Sequence, residues 1–358
     1  MKKRVLHIIF NLNRGGAETM MVSVINELNE YEHVILTLFS GNDFDDELEG
    51  CKLICMNIKL RQLLLFPLLA IRMRKIINKI NPDLIHTHLI WPTIIARIAR
   101  PRSIPLVTTI HTFPSQQVDY QHWYFRWLDK ITYRLHPSVI IAVAKGALQE
   151  YFTVLNVNPG KNYLLYTFVD INKFKPNNKR QHNDNVLKLV SVGALRYQKN
   201  HDFLIRVFER LKNMPISIDI YGKGPLEDEL RKAIEKSRVN IRLMGQKKNI
   251  RDLLSDYDIF IMPSHYEGFS LAVLEAMAMK IPLLLSDIPS FHEQCEDTAL
   301  YFPTNDTKPL TQLLLEIAND KSRLNKLSED AYVRVLKYFT LEHHLEGLRK
   351  IYSTEIKK

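Results

Sequence analysis

Ile259-Phe260-Ile261-Met262-Pro263-Ser264-His265-Tyr266-Glu267-Gly268-Phe269-Ser270-Leu271-Ala272-Val273-Leu274-Glu275-Ala276-Met277-Ala278 is the stretch on which the fold turns. Four apolar residues make a short buried strand. A glycine-containing loop follows, and an apolar helix runs from Leu271 to Met279. Working outward, the same strand–loop–helix unit recurs in both directions. Strands are expected at Leu187–Val192, Ile216–Tyr221, Ile241–Met244 and Leu283–Ser286. Helices alternate with them at Asp202–Leu211, Leu226–Lys236, Ile250–Leu254, Pro309–Ala318 and Lys321–Lys337. The amino-terminal half repeats the pattern, with strands at Val5–Phe10, His33–Phe39, Lys52–Met56, Leu84–Thr87, Leu106–Ile110 and Val139–Val143. Its helices are expected at Ala17–Leu28, Leu68–Ile80, Thr93–Ala99 and Trp123–Leu135. Alternation of this kind is the mark of parallel βαβ units, so the fold class is α/β with two doubly wound, Rossmann-like domains.

A chain of 358 residues suits two such domains. The boundaries expected are 1–170 for the first, 171–185 for a linker ending in a polar run around Pro176, 186–338 for the second, and 339–358 for a last helix. Open sheets of this type bind ligands at the carboxyl ends of their strands, which puts the default site in a cleft between the domains. With 46% hydrophobic and 25% charged residues the chain is globular. The longest apolar run, Leu63–Ile71, is interrupted by Pro67 and is too short to span a bilayer. Met1-Lys2-Lys3-Arg4 before Val5–Phe10 lacks the length and cleavage site of a signal peptide and reads as the first strand. Cys51, Cys55 and Cys295 are too few for a disulfide framework and lack zinc-site spacing. Cys51 and Cys55 are expected as buried thiols beside a strand, and the compartment as cytoplasmic.

The net charge of +10 is uneven. Residues 1–51 carry four Lys/Arg and nine Asp/Glu, whereas 52–145 carry fourteen Lys/Arg against Asp83, Asp119 and Asp129. A basic segment of that kind implies an anionic partner: a phosphate-bearing substrate, an anionic membrane or a nucleic acid.

Three segments carry chemistry. Asn13-Arg14-Gly15-Gly16-Ala17-Glu18 joins a strand to a helix; its amides can meet an anion, although a plain tight turn explains it equally well. Val192-Gly193-Ala194-Leu195-Arg196-Tyr197-Gln198-Lys199-Asn200-His201 follows the first strand of the second half. There Arg196 and Lys199 can neutralise a diphosphate, or simply form a solvated loop. In the stretch quoted first, the amides of Phe269, Ser270 and Leu271, after Gly268, can meet phosphate oxygens. Glu275 lies among apolar neighbours, where a carboxylate needs donors, from a ribose diol or from a structural base.

Glu267 and Glu275 form an E-x7-E pair. With Gly15-Gly16-Ala17-Glu18, Asp83-Leu84-Ile85-His86-Thr87-His88, Thr109-Ile110-His111-Thr112 and Gly222-Lys223-Gly224-Pro225, the chain resembles the family 4 retaining glycosyltransferases of bacterial surface polysaccharides, nearly end to end. The resemblance implies the GT-B fold, in which two Rossmann-like domains face each other across a cleft, with the last helix crossing back to the first domain. It implies a nucleotide-sugar donor, UDP-linked, and a saccharide or polyprenyl-linked acceptor. Glu275 would bind ribose, Glu267 the donor sugar, and Arg196, Lys199, Gly16 and the helix start near Ser270 the diphosphate, with Gly15 in the same first loop. His111 would lie by the transferred sugar. No metal or other cofactor is expected. Three segments depart from the family: Ala194 stands where an arginine is usual, Thr167-Phe168 replaces Asn-Gly, and Lys223 replaces an acidic residue.

The expected reaction is attack on the same face as the departing diphosphate, a diphosphate oxygen taking the acceptor proton. Glu267 as a covalent nucleophile is the alternative route. A nucleotide-sugar epimerase of the same fold, and a non-enzymatic basic nucleic-acid-binding protein, are the alternative functions; no recognition motif supports nucleic acid. Basic and apolar residues are combined in 59–80 (Leu63, Leu65, Leu68, Ile71 with Arg61, Arg72, Arg74, Lys75) and in 120–136 (Trp123, Tyr124, Trp127 with Arg126, Lys130, Arg134). Such elements either pack on the sheet or dock peripherally on the inner face of the cell membrane.

Overall fold

The computed structural model describes residues 2–48, 50–176, 186–247 and 249–356. The 177–185 part of the expected linker lies outside the described residues. The elements in chain order are β1 (Lys3–Ile9), α1 (Gly16–Glu27), β2 (Tyr31–Thr37), β3 (Lys52–Cys55), α2 (Phe66–Ile80), β4 (Leu84–His88), α3 (Ile90–Ala99), β5 (Leu106–Ile110), α4 (Val118–Gln121), α5 (Trp123–Leu135), β6 (Val139–Ala142), α6 (Lys145–Leu155) and β7 (Asn162–Leu164). They continue with β8 (Leu187–Val192), α7 (His201–Glu209), β9 (Ile216–Tyr221), α8 (Glu227–Ser237), β10 (Ile241–Gly245), α9 (Ile250–Leu254), β11 (Ile259–Met262), α10 (Leu271–Ala278), β12 (Leu283–Ser286), α11 (Pro289–Cys295), β13 (Leu300–Phe302), α12 (Lys308–Asn319), α13 (Ser322–Tyr338) and α14 (Leu341–Ile356). Two compact units result: Met1–Thr167 with Leu341–Lys358, and Phe168–Thr340.

The first unit holds a parallel sheet of order β3-β2-β1-β4-β5-β6-β7. Strands β4, β5 and β6 are buried along their whole length, as befits parallel strands covered on both faces. Two histidines therefore sit inside β4, a placement that obliges them to find polar partners. α14 packs into this unit: the Tyr352 hydroxyl lies 2.6 Å from His86 Nδ1, and Leu345, Leu348 and Ile351 are buried. On the same side as α3, Arg97 is fully buried and ion-paired with Asp129 of α5, which also accepts from the Tyr120 hydroxyl.

The second unit holds a parallel sheet of order β10-β9-β8-β11-β12-β13. Its chain order reverses between β8 and β11. That is where an open α/β sheet leaves a crevice at its carboxyl edge. The core packs Phe203, Leu204 and Phe208 of α7 against Ile218, Ile220 and Ile261 of the sheet.

Several local expectations change. β7 and β13 are three-residue edge strands, too short for periodicity to reveal, and α6 and α11 are two helices beyond those expected from the sequence. α3 begins at Ile90 and not at Thr93, because Pro92 falls in the first turn, where its missing N–H costs no intrahelical bond. Cys55 is exposed and Cys51 half-buried, so the expectation of two buried thiols is wrong; of the three, Cys295 is the buried one. β3 sits at the sheet edge, which explains the exposure.

Candidate functional site

In the second unit, two loops meet at the carboxyl ends of β8 and β11. Four consecutive residues of the first grip the second. Tyr197 stacks on His265 with ring centroids 4.6 Å apart, and Gln198 Nε2 donates to Tyr266 O at 3.1 Å. Lys199 Nζ lies 2.7 Å from Glu267 Oε1, and Asn200 Nδ2 donates to Pro263 O at 3.1 Å. Ser264 Oγ donates to the same Glu267 oxygen at 2.7 Å. Glu267 is 6% exposed, so its carboxylate is braced by an ammonium and a hydroxyl in a site largely closed to water. Lys199 is therefore engaged with a carboxylate and keeps only part of its donor capacity for a diphosphate. Arg196 is exposed, and no ion pair of its guanidinium occurs among the described residues.

The glycine-rich turn holds the first loop in place. Leu195 N donates to Lys223 O, and Leu226 N to Leu195 O, both at 3.1 Å. A Cβ on Gly224 would stand 2.4 Å from Leu195 O, and one on Gly222, whose φ is +153°, 1.9 Å from Gly193 O. No side chain fits at either position.

At the start of α10 the Ser270 amide is already taken. It donates to Gln294 Oε1 at 3.0 Å, and Gln294 Nε2 donates back to Ser270 O at 2.8 Å. The expectation that Ser270 offers its amide to phosphate is thereby corrected. Gln294, fully buried in α11, instead fixes the helix start. Gly268, Phe269 and Leu271 flank it, Phe269 packed edge-on against Phe339. Glu275 is different in kind from Glu267. Its carboxyl has no hydrogen-bond or ionic partner among the described residues, and desolvation pushes its pKa up to about 8. The structural reading, a Glu paired with a base, therefore fails. The group is poised to accept hydrogen bonds from outside the chain.

In the first unit, Gly15 is the extended residue before α1 and Gly16 opens the helix. The Glu18 carboxylate leans over this end, 2.5 Å from where a Cβ on Gly15 would stand, and its pKa is raised by burial. The helix start thus already faces a carboxyl group of its own chain. His111 follows β5 directly and joins a set of histidines, buried at His7 and His88 and half-buried at His33 and His111: His88 Nδ1 is 3.1 Å from His111 Nε2, His7 Nδ1 is 3.5 Å from His88 Nε2, and His7 Nε2 is 3.0 Å from His33 Nδ1. Burial drives the pKa of His111 down to about 3, that of His344 to about 4, and those of His7, His86 and His88 well below the usual value. Neutral imidazoles are the result. About 280 Å³ of empty space adjoins His7, His88, His111 and His344, and another 360 Å³ lies on the Ile110 side of His111. Ring nitrogens of His7, His86 and His88 come within 4.8 Å of one another, a spacing a metal ion can bridge. All six of these nitrogens already have hydrogen-bond partners, which marks a polar network.

Sequence reasoning found Glu267, Glu275, Lys199 and His111 but passed over Gln198, Asn200, Ser264, Gln294, His7 and His33 as working residues. Gln198 and Asn200 stood in a segment already singled out; Gln294 lies 24 residues from Ser270, and no local signal marks it.

Comparison with known proteins agrees with this geometry. The glycosyl transferases group 1 family matches residues 172–334, and Glycosyltransferase Family 4 matches residues 14–173. The chain is 27% identical over 316 residues to a putative glycosyltransferase EpsF of Bacillus subtilis, covering 80% of this chain and 79% of that one. It is 26% identical over 309 residues to a UDP-Gal:alpha-D-GlcNAc-diphosphoundecaprenol alpha-1,3-galactosyltransferase of Escherichia coli, covering 79% and 78%. The fold superposes on Anabaena HepE in complex with UDP with a TM-score of 0.84 at 16% identity, covering 99% of this chain and 100% of the other. These matches favour transfer over the epimerase and nucleic-acid alternatives. The chain has the GT-B fold class and belongs to the family 4 glycosyltransferases.

Proposed function

We propose that this enzyme moves a sugar from a UDP-sugar to a saccharide or polyprenyl-diphosphate-linked acceptor in surface-polysaccharide assembly, with retention of the anomeric configuration. The observation that carries the donor half is Glu275: a desolvated carboxyl with no partner among the described residues, on the helix that follows the crevice between β8 and β11. A ribose diol supplies the two donors it lacks. The acceptor class rests on the diphosphoundecaprenol acceptor in the name of the Escherichia coli relative.

As the glycosidic C–O bond to the diphosphate breaks, negative charge grows on the leaving nucleotide. The remaining donor capacity of Lys199, the exposed Arg196 and the start of α10 near Leu271 meet that charge, more strongly in the transition state than before it. The acceptor hydroxyl forms its bond to the anomeric carbon on the same face, and its proton passes to a diphosphate oxygen. Glu267 is committed to Lys199 and Ser264, which suits a residue that orients the donor sugar better than a free nucleophile. No metal has a part in this scheme. The test is thermal denaturation with UDP, GDP and ADP, on the parent and on Glu275→Ala. A ligand at about 100 times its Kd stabilises by about 2.7 kcal/mol. A shift with UDP that the variant loses supports the reading; no shift with any nucleotide removes it.

The enzyme docks peripherally on an anionic membrane leaflet through α2 and α5 in this reading. Both helices pack against α3 and so flank it. Their outer residues include Leu68 and Ile71 on α2, with Leu65 just before it, and Trp123, Tyr124 and Trp127 on α5, all more than half exposed, together with the exposed Arg72, Arg74, Arg126 and Arg134 of the same two helices. The buried Arg97–Asp129 pair holds α5 with those aromatic rings outward. No described helix is long and apolar enough to cross the membrane.

A further inference from the structure

The histidines of the first unit form a chain whose direction is set at one end. His33 Nε2 lies 3.0 Å from the Leu28 carbonyl oxygen at the end of α1. A carbonyl oxygen only accepts, so this nitrogen carries the proton. A neutral imidazole has one N–H and one lone pair, so His33 Nδ1 accepts, and His7 Nε2, 3.0 Å away, donates to it. His7 Nδ1 then accepts from His88 Nε2 at 3.5 Å, and His88 Nδ1 accepts from His111 Nε2 at 3.1 Å. Neutrality holds along the chain because burial lowers the pKa of each ring. The last ring is thereby left with its proton on Nε2 and a lone pair on Nδ1. Among the described residues nothing donates to that lone pair, and it is not sealed off from solvent-sized space.

We propose that His33, His7 and His88 are positioning residues that fix His111 in the Nε2–H form and present His111 Nδ1 as an acceptor for a sugar hydroxyl in the reaction. The step rests on the glycosyl-transfer reading above; the relay itself rests on the distances and on the neutrality of the rings. Strand pairing explains how it is assembled. His7 and His86 are partners across β1 and β4, and His33 stands opposite Val5, two residues before His7, on β2. His88 pairs with Thr109, two residues before His111. A chain of hydrogen bonds that ends on a main-chain carbonyl resists a change of tautomer anywhere along it, because reversing one ring leaves two lone pairs or two protons facing each other.

The experiment uses the full chain with 15N-labelled histidine. Two-bond 1H–15N correlations report which ring nitrogen carries the proton, and subtraction of a His111→Gln spectrum assigns His111. The expected result is a protonated Nε2 and a bare Nδ1 at neutral pH; a protonated Nδ1 overturns the relay. Kinetics give the second arm. His88→Phe keeps a ring but removes the acceptor, and kcat should fall about 10- to 100-fold with donor KM within about twofold, as is common when a supporting hydrogen-bond partner is lost. His88→Asn places an acceptor oxygen where Nδ1 stood and should recover most of that loss. An equal loss in both variants, or none in His88→Phe, overturns the proposal. Should His88→Phe not fold, His33→Phe at the far end takes its place, and its His111 must then show mixed tautomers. If no sugar nucleotide supports transfer while His111 is found with Nε2–H, the proposed function fails and the relay stands.

Discussion

The Lys199 ammonium lies 2.7 Å from the Glu267 carboxylate and ties the loop after β8 to the loop after β11, where the order of the second sheet reverses. Removing one member of a nearly buried pair strands the other, whereas removing both leaves no uncompensated charge. Lys199→Met should therefore lower stability to urea by about 3 kcal/mol. Lys199→Met with Glu267→Gln should lie closer to the parent than that single variant, and both should lack transfer activity. A double variant at the sum of the single losses would show that the two groups do not interact.

Glu275 makes stability depend on pH. Desolvation raises its folded pKa to about 8 from an ordinary 4.5, so the folded chain holds the proton longer than the unfolded chain does. The contribution is complete below about pH 4.5 and is lost as pH rises toward 8. Urea midpoints measured from pH 5 to pH 8 should fall more steeply for the parent than for Glu275→Gln. Parallel curves would mean that the carboxyl is solvated. Ribose hydroxyls that donate to the ionised form favour it, so the UDP-induced shift should also grow with pH over this range in the parent alone.

Gly224→Ala tests the turn that supports the nucleotide loop. The added methyl would meet the Leu195 carbonyl oxygen at 2.4 Å, a backbone atom that cannot swing aside as a flexible side chain could. A loss of about 2 kcal/mol is expected from such overpacking. Because Leu195 is bonded to this turn on both sides, the UDP-induced shift should weaken as well. Unchanged UDP binding in a destabilised variant would separate the turn from the site.

Membrane docking has its own readout. Trp123→Glu with Trp127→Glu alters two exposed rings and leaves the buried Arg97–Asp129 pair alone. The parent should sediment with vesicles containing anionic lipid at low salt and stay behind with neutral ones. The double variant should lose most of that binding while keeping its melting temperature within about 2 °C, since surface changes are near neutral for stability. Absence of parent binding to anionic vesicles would end the docking proposal.

Metal removal should do nothing. If Lys199, Arg196 and the start of α10 balance the charge of the leaving diphosphate, transfer in excess EDTA should match the untreated rate within about twofold. A loss restored by a divalent ion would assign part of that work to a metal.

Much of the architecture was legible because periodicity and loop chemistry are local. Val5–Phe10 and Ile259–Met262 are apolar runs of strand length, and glycines follow them where a chain must turn into a helix. Glu267 and Glu275 were visible for the same reason: eight positions separate them on one loop and its helix. The three-residue strands β7 and β13 were not visible, because so short a run has no period and exists only through its neighbour in the sheet.

By itself the sequence determined two doubly wound halves and the loops that bear the reactive side chains. Tertiary structure alone decided what those side chains face. Lys199 meets a carboxylate 68 residues away, the Ser270 amide is claimed by Gln294, and Glu275 is left without a partner among the described residues. His7, His33, His88 and His111 become one chain only through the register of four strands. Hydrogen bonds and desolvation depend on atoms brought within about 3 Å, and packing across a sheet brings together residues whose separation along the chain carries no signal.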